Sequence, residues 1–229
     1  PYGIGTFGEA AFAFADFLAK AGQKYWQVLP LGPTSYGDSP YQSFSAFAGN
    51  PYFIDLDLLC EARLLQKEEI VSCNWGDDPA DVDYAKLYAA RFQLLHRAYE
   101  RSDYEYAPDY QSFCARNTFW LEDYALYMAI KMQQDGKEWL AWPEGLRLRE
   151  ETALAKAREE LRQEIGFWKF CQYQFFCQWD SLKSYANRLG IRIIGDIPIY
   201  VALDSADVWV NFHLFQLDEN RMPTKVAGV

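Results

Sequence analysis

The chain has 229 residues, of which half are hydrophobic and 24% are charged, so it can bury a sizeable core and is not typical of disordered or fibrous proteins. Its formal net charge of −10 argues against binding to nucleic acid phosphates or to an anionic membrane. No stretch is long and apolar enough for a membrane-spanning helix. Five scattered cysteines without CxxC spacing favour reduced core thiols and a cytoplasmic location. With only two histidines, the sequence offers few ligands for a zinc site.

The N-terminal residues predict a helix followed by a buried strand. Thr6 and Glu9 form a capping-box pattern, apolar residues then recur at helical spacing, and Gly22 is placed to end the helix. Residues 25–31, YWQVLPL, are almost continuously hydrophobic, which is typical of a strand covered on both faces of a parallel sheet. A helix followed by a buried strand is half of a β/α repeat.

Residues 32–52, GPTSYGDSPYQSFSAFAGNPY, combine turn-forming residues with aromatic rings and have no regular period. A loop of this length in a compact domain is usually functional or disordered, and the rings favour an ordered binding loop. Sugars have C–H faces that stack on aromatic rings and hydroxyls that need polar partners. Both kinds of group occur here within seven residues: Tyr36, Asp38, Ser39, Tyr41 and Gln42. The alternative is that the rings only pack the loop against the protein, and the residues alone favour neither reading.

The β/α pattern is interrupted and then returns. Residues 58–166 have helical periodicity without a convincing strand, which predicts an inserted helical subdomain. An amphipathic helix from residue 167 ends at Gly190, and residues 191–201 read as a second buried strand, before a helix start at Asp204–Ser205. Asp196 lies near the end of that strand, where barrel enzymes place functional side chains; the alternative is a structural cap for the next turn.

Four segments together closely resemble one enzyme family. Residues 25–52 carry the longest match, supported by residues 1–5 (PYGIG), 195–199 (GDIPI) and 226–229 (VAGV). They resemble the amylomaltase-type 4-α-glucanotransferases, or disproportionating enzymes, of the α-amylase superfamily. The resemblance covers essentially the whole chain, and the helical insertion is its least diagnostic part.

The resemblance implies an α/β fold, a partial (β/α)8 TIM barrel with a large helical insertion subdomain. Residues 1–57 would form the first part of the catalytic barrel with the aromatic substrate loop 32–52, residues 58–166 the insertion, and residues 167–229 the barrel continuation through the third strand. The rest of the barrel is expected outside this chain. The implied activity transfers α-1,4-glucan segments between maltooligosaccharides by retaining double displacement, without a metal or cofactor.

The family's binding residues carry over to four positions. Tyr41 resembles the tyrosine that lines the cleft at the reacting sugar, and Tyr36 one that stacks on bound glucan. Ser39 falls in the same loop, and Asp196 resembles an aspartate that supports the reacting sugar. The family's nucleophile and acid/base carboxylates follow later strands and are expected after Val229, so no catalytic residue is assigned and the isolated chain is predicted to be inactive.

Two other function classes remain open. A hydrolase of the same superfamily would need the same fold and carboxylates, and a non-catalytic carbohydrate-binding module would keep only the aromatic loop. The expected partners are maltooligosaccharides or other α-1,4-glucans, with no nucleic acid and no membrane. The sequence leaves the oligomeric state undetermined.

Overall fold

The computed structural model describes residues 2–35, 37–78 and 80–225. It is mostly helical and has one small parallel sheet. The strands are β1 (Tyr25–Gln27) and β2 (Arg192–Ile194). The helices in these ranges are α1 (Glu9–Lys20), α2 (Leu56–Glu61), α3 (Lys67–Val71), α4 (Tyr84–Glu100), α5 (Pro108–Arg116), α6 (Thr118–Gln133), α7 (Glu144–Arg147), α8 (Glu151–Glu160), α9 (Arg162–Arg188) and α10 (Ala206–Val210).

The chain divides into two compact units. The first unit comprises Pro1–Leu31, Gly49–Phe113 and Phe170–Asp196, and the second comprises Gly32–Ala48, Cys114–Lys169 and Ile197–Val229. The aromatic loop up to Ala48 therefore belongs to the second unit, while the sheet belongs to the first.

The sheet of the first unit joins two strands that are far apart in sequence. β1 and β2 are parallel, with Trp26 opposite Ile193. These two side chains pack on a buried cluster of Ala15, Ala186 and Ile191, so α1 and the end of α9 cover one face of the sheet. The two strands are parallel, and a parallel pair needs a long crossover connection between its strands. The expected alternation of helices with parallel strands is therefore confirmed for this pair.

Residues 25–31 were expected to form a strand covered on both faces and residues 191–201 a second buried strand; both expectations are wrong for the described residues, because the strands are shorter and partly exposed. Tyr25 in β1 is 57% exposed, Leu29 just after it is 59% exposed, and Ile194 in β2 is 46% exposed. Beyond β2, Ile199 is 90% exposed and lies outside any strand. The reason is geometric, since the helices cover only the face that carries Trp26, and each strand has one neighbour in the described sheet.

The first helix begins differently from the predicted capping box. α1 has Gly8 as its N-cap without a side-chain cap, and Thr6 Oγ1 instead donates a 2.6 Å hydrogen bond to Asp55 Oδ2. A Cβ atom at Gly8 would collide with the same carboxylate, which explains the glycine. The other end is as predicted, because Gly22 follows the C-cap with a φ of 73°.

Residues 58–166 are helical as predicted, with no strand in their described part. Their helices belong to both units, α3 and α4 to the first and α6 to α8 to the second. The five cysteines lie within the described ranges and form no disulfide, and they differ in exposure: Cys171 is buried whereas Cys177 is exposed, so the expectation of core thiols is correct only in part.

The second unit has an aromatic core. The rings of Tyr127, Trp142 and Trp209 lie 5.2–5.7 Å apart, centroid to centroid, and join α6 to α10. Ser205 is the N-cap of α10, where its hydroxyl accepts a 3.2 Å hydrogen bond from Val208 N, so the predicted helix start at Asp204–Ser205 is confirmed.

Candidate functional site

The first half of the aromatic loop folds back on itself as a short hairpin-like turn. Thr34 and Ser43 form an isolated antiparallel bridge, and Ser35 N donates a 3.0 Å hydrogen bond to Gln42 O. At the tip, Gly37 and Asp38 have φ values of 88° and 55°, a left-handed conformation that glycine adopts freely and aspartate tolerates. The predicted order of the loop thus has a specific hydrogen-bonded basis.

Two of the sequence-predicted binding residues lie together in this turn. Ser39 Oγ accepts a hydrogen bond from Tyr41 N at 3.3 Å, and Gln42 N donates to Ser39 O at 3.2 Å. Tyr41 is 46% exposed, so part of its ring faces solvent. Burial raises the pKa of the Asp38 carboxyl beside them. Tyr36 lies outside the described residues.

Serine side chains hold the second half of the loop. Ser43 Oγ donates a 2.7 Å hydrogen bond to Ser45 O, and Ser45 Oγ accepts from the backbone N of Phe47 (3.1 Å) and Ala48 (3.3 Å). Gly32 lies against this arrangement, because a Cβ there would come within 2.8 Å of Ser43 Oγ. The serines in SFSAF therefore supply backbone support, a role that the sequence reading did not assign to them.

Helix α10 forms hydrogen bonds with the loop backbone on one side. Ala206 N donates a 2.8 Å hydrogen bond to Phe44 O, and Asp207 Oδ2 accepts a 2.7 Å hydrogen bond from Ala46 N. Burial raises the pKa of the Asp207 carboxyl. Asp207 was not predicted, since its partner is 161 positions away in the sequence.

The residue just before α10 is held by a charged cluster. Asp204 pairs with Lys131 Nζ at 2.6 Å, accepts a 2.5 Å hydrogen bond from Tyr127 OH, and accepts a longer one from Trp139 N at 3.3 Å. Lys131 is almost fully buried and lies 4.9 Å from the centroid of the Phe44 ring, a cation–π distance. Burial and the negative charge of Asp204 raise the pKa of Tyr127 well above its usual value.

The base of the loop is fixed within the first unit. Asn50 N donates a 2.8 Å hydrogen bond to Leu31 O, which closes the loop. Gln172 on α9 then binds both backbone groups of Gly49, accepting from N at 2.7 Å and donating to O at 2.9 Å. Phe175, one helical turn further, occupies the space that a Cβ at Gly49 would need. Gln178 binds the backbone of Asp55 in the same way.

Asp196 belongs to the first unit and lies two residues after β2. It is partly buried. Because the strands are parallel, residues that directly follow β1 and β2, Asp196 among them, leave the sheet at the same edge. That edge is where functional residues of β/α proteins lie.

The groups in the loop are suited to binding a neutral polar ligand. They include Tyr41, which is partly exposed, and the hydroxyl groups of Ser39 and Tyr41. Within the described ranges, no cluster of three or more His, Cys, Asp or Glu side chains could hold a metal ion. No helix in these ranges combines the length and apolarity needed to cross a bilayer. The fold and loop therefore define an α/β protein with a candidate carbohydrate-binding loop.

Comparison with known proteins identifies the family. A family model described as 4-alpha-glucanotransferase (glycosyl hydrolase 77) matches residues 1–229. The chain is 49% identical over 228 residues to a 4-alpha-glucanotransferase of Clostridium butyricum, covering 99% of this chain and 47% of the relative. It is 51% identical to the Thermus thermophilus 4-alpha-glucanotransferase, covering 100% of this chain and 46% of that protein. The chain belongs to the 4-alpha-glucanotransferase family.

Solved structures agree with this assignment. The fold matches an amylomaltase from Streptococcus agalactiae in complex with acarbose, with a TM-score of 0.95 and 44% identity, over 100% of this chain and 46% of that one. An amylomaltase from Corynebacterium glutamicum, 20% identical with a TM-score of 0.69 over 93% of this chain and 30% of that one, shares the fold. The chain spans about half the length of the curated relatives it matches.

Proposed function

We propose that this chain supplies the glucan-binding loop of a 4-α-glucanotransferase that moves α-1,4-glucan segments from one maltooligosaccharide to another. One observation carries the proposal. In a chain of this family, the described part of the loop 32–48 is held by its own backbone and serine hydrogen bonds while Tyr41 stays 46% exposed. A fixed, partly exposed aromatic ring is what stacking on a sugar face requires.

The roles of the four binding residues follow from the family resemblance. Tyr41 lines the cleft at the reacting sugar, Tyr36 stacks on bound glucan, and Ser39 supports the same turn. Ser39 does so through its hydrogen bond with Tyr41 N, which supports a shared function for the two residues. Asp196 supports the reacting sugar from the end of β2, a position favoured for functional side chains.

We also propose that the two strands belong to a partial (β/α)8 barrel. In such a barrel, helices cover one face of every strand and the other face points into the barrel interior. The sheet has helices on the Trp26 face, while Tyr25 and Ile194 on the other face are exposed, which supports this arrangement. Residues 1–57 and 167–229 would then be barrel segments, with 58–166 an inserted helical subdomain.

The proposed chemistry is retaining transfer. One carboxylate attacks the anomeric carbon while a carboxylic acid protonates the departing glycosidic oxygen. The sugar is then released to the 4-hydroxyl of an acceptor glucan, whose proton returns to the second carboxylate. We place these carboxylates in the part of the family fold that follows residue 229, which the curated relatives have room for because they are about twice as long.

Charge and cysteine content suggest the chain's partner and its location. A neutral α-1,4-glucan suits a chain with a formal net charge of −10, whereas nucleic acid does not. We propose a cytoplasmic location, supported by five cysteines that form no disulfide, as is usual in a reducing compartment.

Isothermal titration calorimetry of the chain with acarbose tests the role of the loop in binding. Tyr41→Ala removes the exposed ring and should weaken binding about fivefold or more, the equivalent of about 1 kcal/mol of stacking. Tyr106→Ala is the matched control, because Tyr106 is 79% exposed and lies outside the loop. Equal affinities for all three proteins would assign Tyr41 to loop packing.

Products distinguish transfer from hydrolysis. The whole protein incubated with maltotriose should form glucose together with oligosaccharides longer than the substrate. Release of only shorter sugars would favour the hydrolase of the same superfamily, because water rather than a sugar hydroxyl would then be the acceptor. Binding without turnover in the whole protein would favour a non-catalytic carbohydrate-binding module.

A further inference from the structure

Two hydrogen bonds connect the first turn of α10 to the second half of the aromatic loop. Ala206 N donates to Phe44 O and Asp207 Oδ2 accepts from Ala46 N, at 2.8 and 2.7 Å. The two bonds hold residues 44 and 46 from one side, as a neighbouring strand would. The Asp207 carboxylate thus takes the place of a backbone carbonyl in this pairing.

We propose that Asp207 is a positioning residue, whose carboxylate oxygen fixes Ala46 N and thereby sets the position of the Tyr41 side chain for glucan binding. The proposal rests on the proposed function of the loop. It concerns a residue that the resemblance did not assign.

Hydrogen bonds and covalently adjacent residues connect Asp207 to Tyr41. Ala46 follows Ser45, whose carbonyl accepts from Ser43 Oγ at 2.7 Å. Ser43 is bridged to Thr34, and the neighbouring Gln42 O accepts from Ser35 N at 3.0 Å. Tyr41 is the next residue toward the turn. A shift at Ala46 therefore reaches Tyr41 through hydrogen-bonded backbone.

Asp207 can serve as a reference point because α10 is itself fixed. Trp209 is 1% exposed, and its indole Nε1 donates a 2.9 Å hydrogen bond to Leu146 O. The Arg149 guanidinium lies 4.2 Å from the Trp209 ring centroid. On the other side of the helix start, Asp204 is held by Lys131 and Tyr127. The loop is thus attached to a helix that is buried and anchored at both ends.

A purely structural role for Asp207 makes different demands on the side chain. An acid in the first turn of a helix can stabilise the helix through its negative charge. That role needs the charge and tolerates a small displacement. The positioning role needs an acceptor oxygen at one place and does not need the charge. Burial raises the pKa of Asp207, so the surroundings do not favour the charged form.

Two conservative variants separate these roles. Asp207→Asn keeps an acceptor oxygen at the same distance and removes the charge, whereas Asp207→Glu keeps the charge and moves the carboxylate by one methylene. A third variant, Asp207→Leu, removes the acceptor. Asp218→Leu is the control: Asp218 is an acid of the same unit whose carboxylate accepts backbone hydrogen bonds from Asn220 N (2.8 Å) and Met222 N (2.9 Å), outside the loop.

Acarbose affinity by calorimetry and exchange of the Ala46 amide hydrogen by NMR are measured on each protein. Asp207→Leu and Asp207→Glu should weaken acarbose binding and speed Ala46 exchange by about fivefold or more, the loss expected for one hydrogen bond. Asp207→Asn should stay within about twofold of the unmodified chain in both. Asp218→Leu should leave both acarbose affinity and Ala46 exchange unchanged.

The outcomes separate the two proposals. Absence of acarbose binding by the unmodified chain would contradict the proposed function. Unchanged affinity in Asp207→Glu, or a loss in Asp207→Asn equal to that in Asp207→Leu, would instead overturn the positioning role of Asp207 and favour a role for its charge. Asp207→Glu keeps the experiment decisive if the leucine variant does not fold.

Discussion

The aromatic core of the second unit differs from the two strands and the segment just after β2 in how completely apolar side chains are covered. Trp139 and Trp209 are each 1% exposed, whereas Ile194 is 46% exposed and Ile199, just beyond the strand, is 90% exposed. Exposed apolar side chains in such numbers usually mark a surface that another part of the structure covers. Among the described residues, the aromatic core is thus well covered, whereas the strands and the segment after β2 leave large apolar side chains exposed.

The largest difference is expected between a covered and an uncovered apolar side chain. Trp209→Ala removes a ring packed against Trp142 and Tyr127 and should reduce the free energy of unfolding by about 3–5 kcal/mol. Ile199→Ala removes a side chain that is 90% exposed and should change it by less than about 0.5 kcal/mol. Urea unfolding followed by tyrosine and tryptophan fluorescence measures both.

A comparable loss in the two variants would break this comparison. It would mean that Ile199 is covered in solution, by a second copy of the chain or by a rearranged strand. Sedimentation of the unmodified chain and Ile199→Ala separates these two cases.

An intermediate difference is expected between two lysine ion pairs of the second unit. Lys131→Met leaves the Asp204 carboxylate with only neutral donors from Tyr127 and Trp139 and should cost about 2 kcal/mol, less than a fully buried pair because Asp204 is 31% exposed. Lys169→Met breaks a pair with Glu122, which is 50% exposed, and should cost less than about 1 kcal/mol. Equal losses of unfolding free energy in the two variants would contradict the expectation that the more buried ion pair contributes more to stability.

The smallest effect is expected at an ion cluster of the first unit. Arg101, the backbone N of Gln66 and Arg97 together lower the pKa of Glu69 to about 2. Because the pKa is lower in the folded protein than its usual value of 4.5, this stabilisation is present above about pH 5 and is lost as the pH falls toward 2. The stability difference between the unmodified chain and Glu69→Gln should shrink over that range, as followed by urea unfolding at each pH. A difference that is constant with pH would contradict the lowered pKa.

Local patterns predicted the parts of the fold that depend on neighbours in sequence. Helical spacing indicated α1 and α6, and two residues with specific backbone roles marked helix boundaries, Gly22 after α1 and Ser205 before α10. The strand type and parallel pairing were also predictable. The exposure of β1 and β2 was not, because a hydrophobic run reflects the surroundings of a strand in the complete fold.

Sequence patterns could not predict the contacts that hold the aromatic loop. Gln172 and Asp207 bind backbone groups 123 and 161 positions away, and a backbone partner leaves no recognisable side-chain motif. Thr6 matched a capping box, yet Gly8 is the N-cap of α1 and the Thr6 hydroxyl donates to the Asp55 carboxylate, 49 positions away. The loop's aromatic and serine composition indicated a site, but only the fold could show what supports it.

The central claim is that these 229 residues carry glucan-binding groups of a 4-α-glucanotransferase without its reacting carboxylates. Incubation of the isolated chain with maltotriose tests it most directly, with glucose release followed enzymatically and sugar binding followed in the same sample by saturation-transfer NMR. The account predicts saturation transfer to maltotriose that Tyr41→Ala reduces, and no glucose above the no-protein control. Robust glucose release, with longer oligosaccharides formed by the isolated chain, would contradict it.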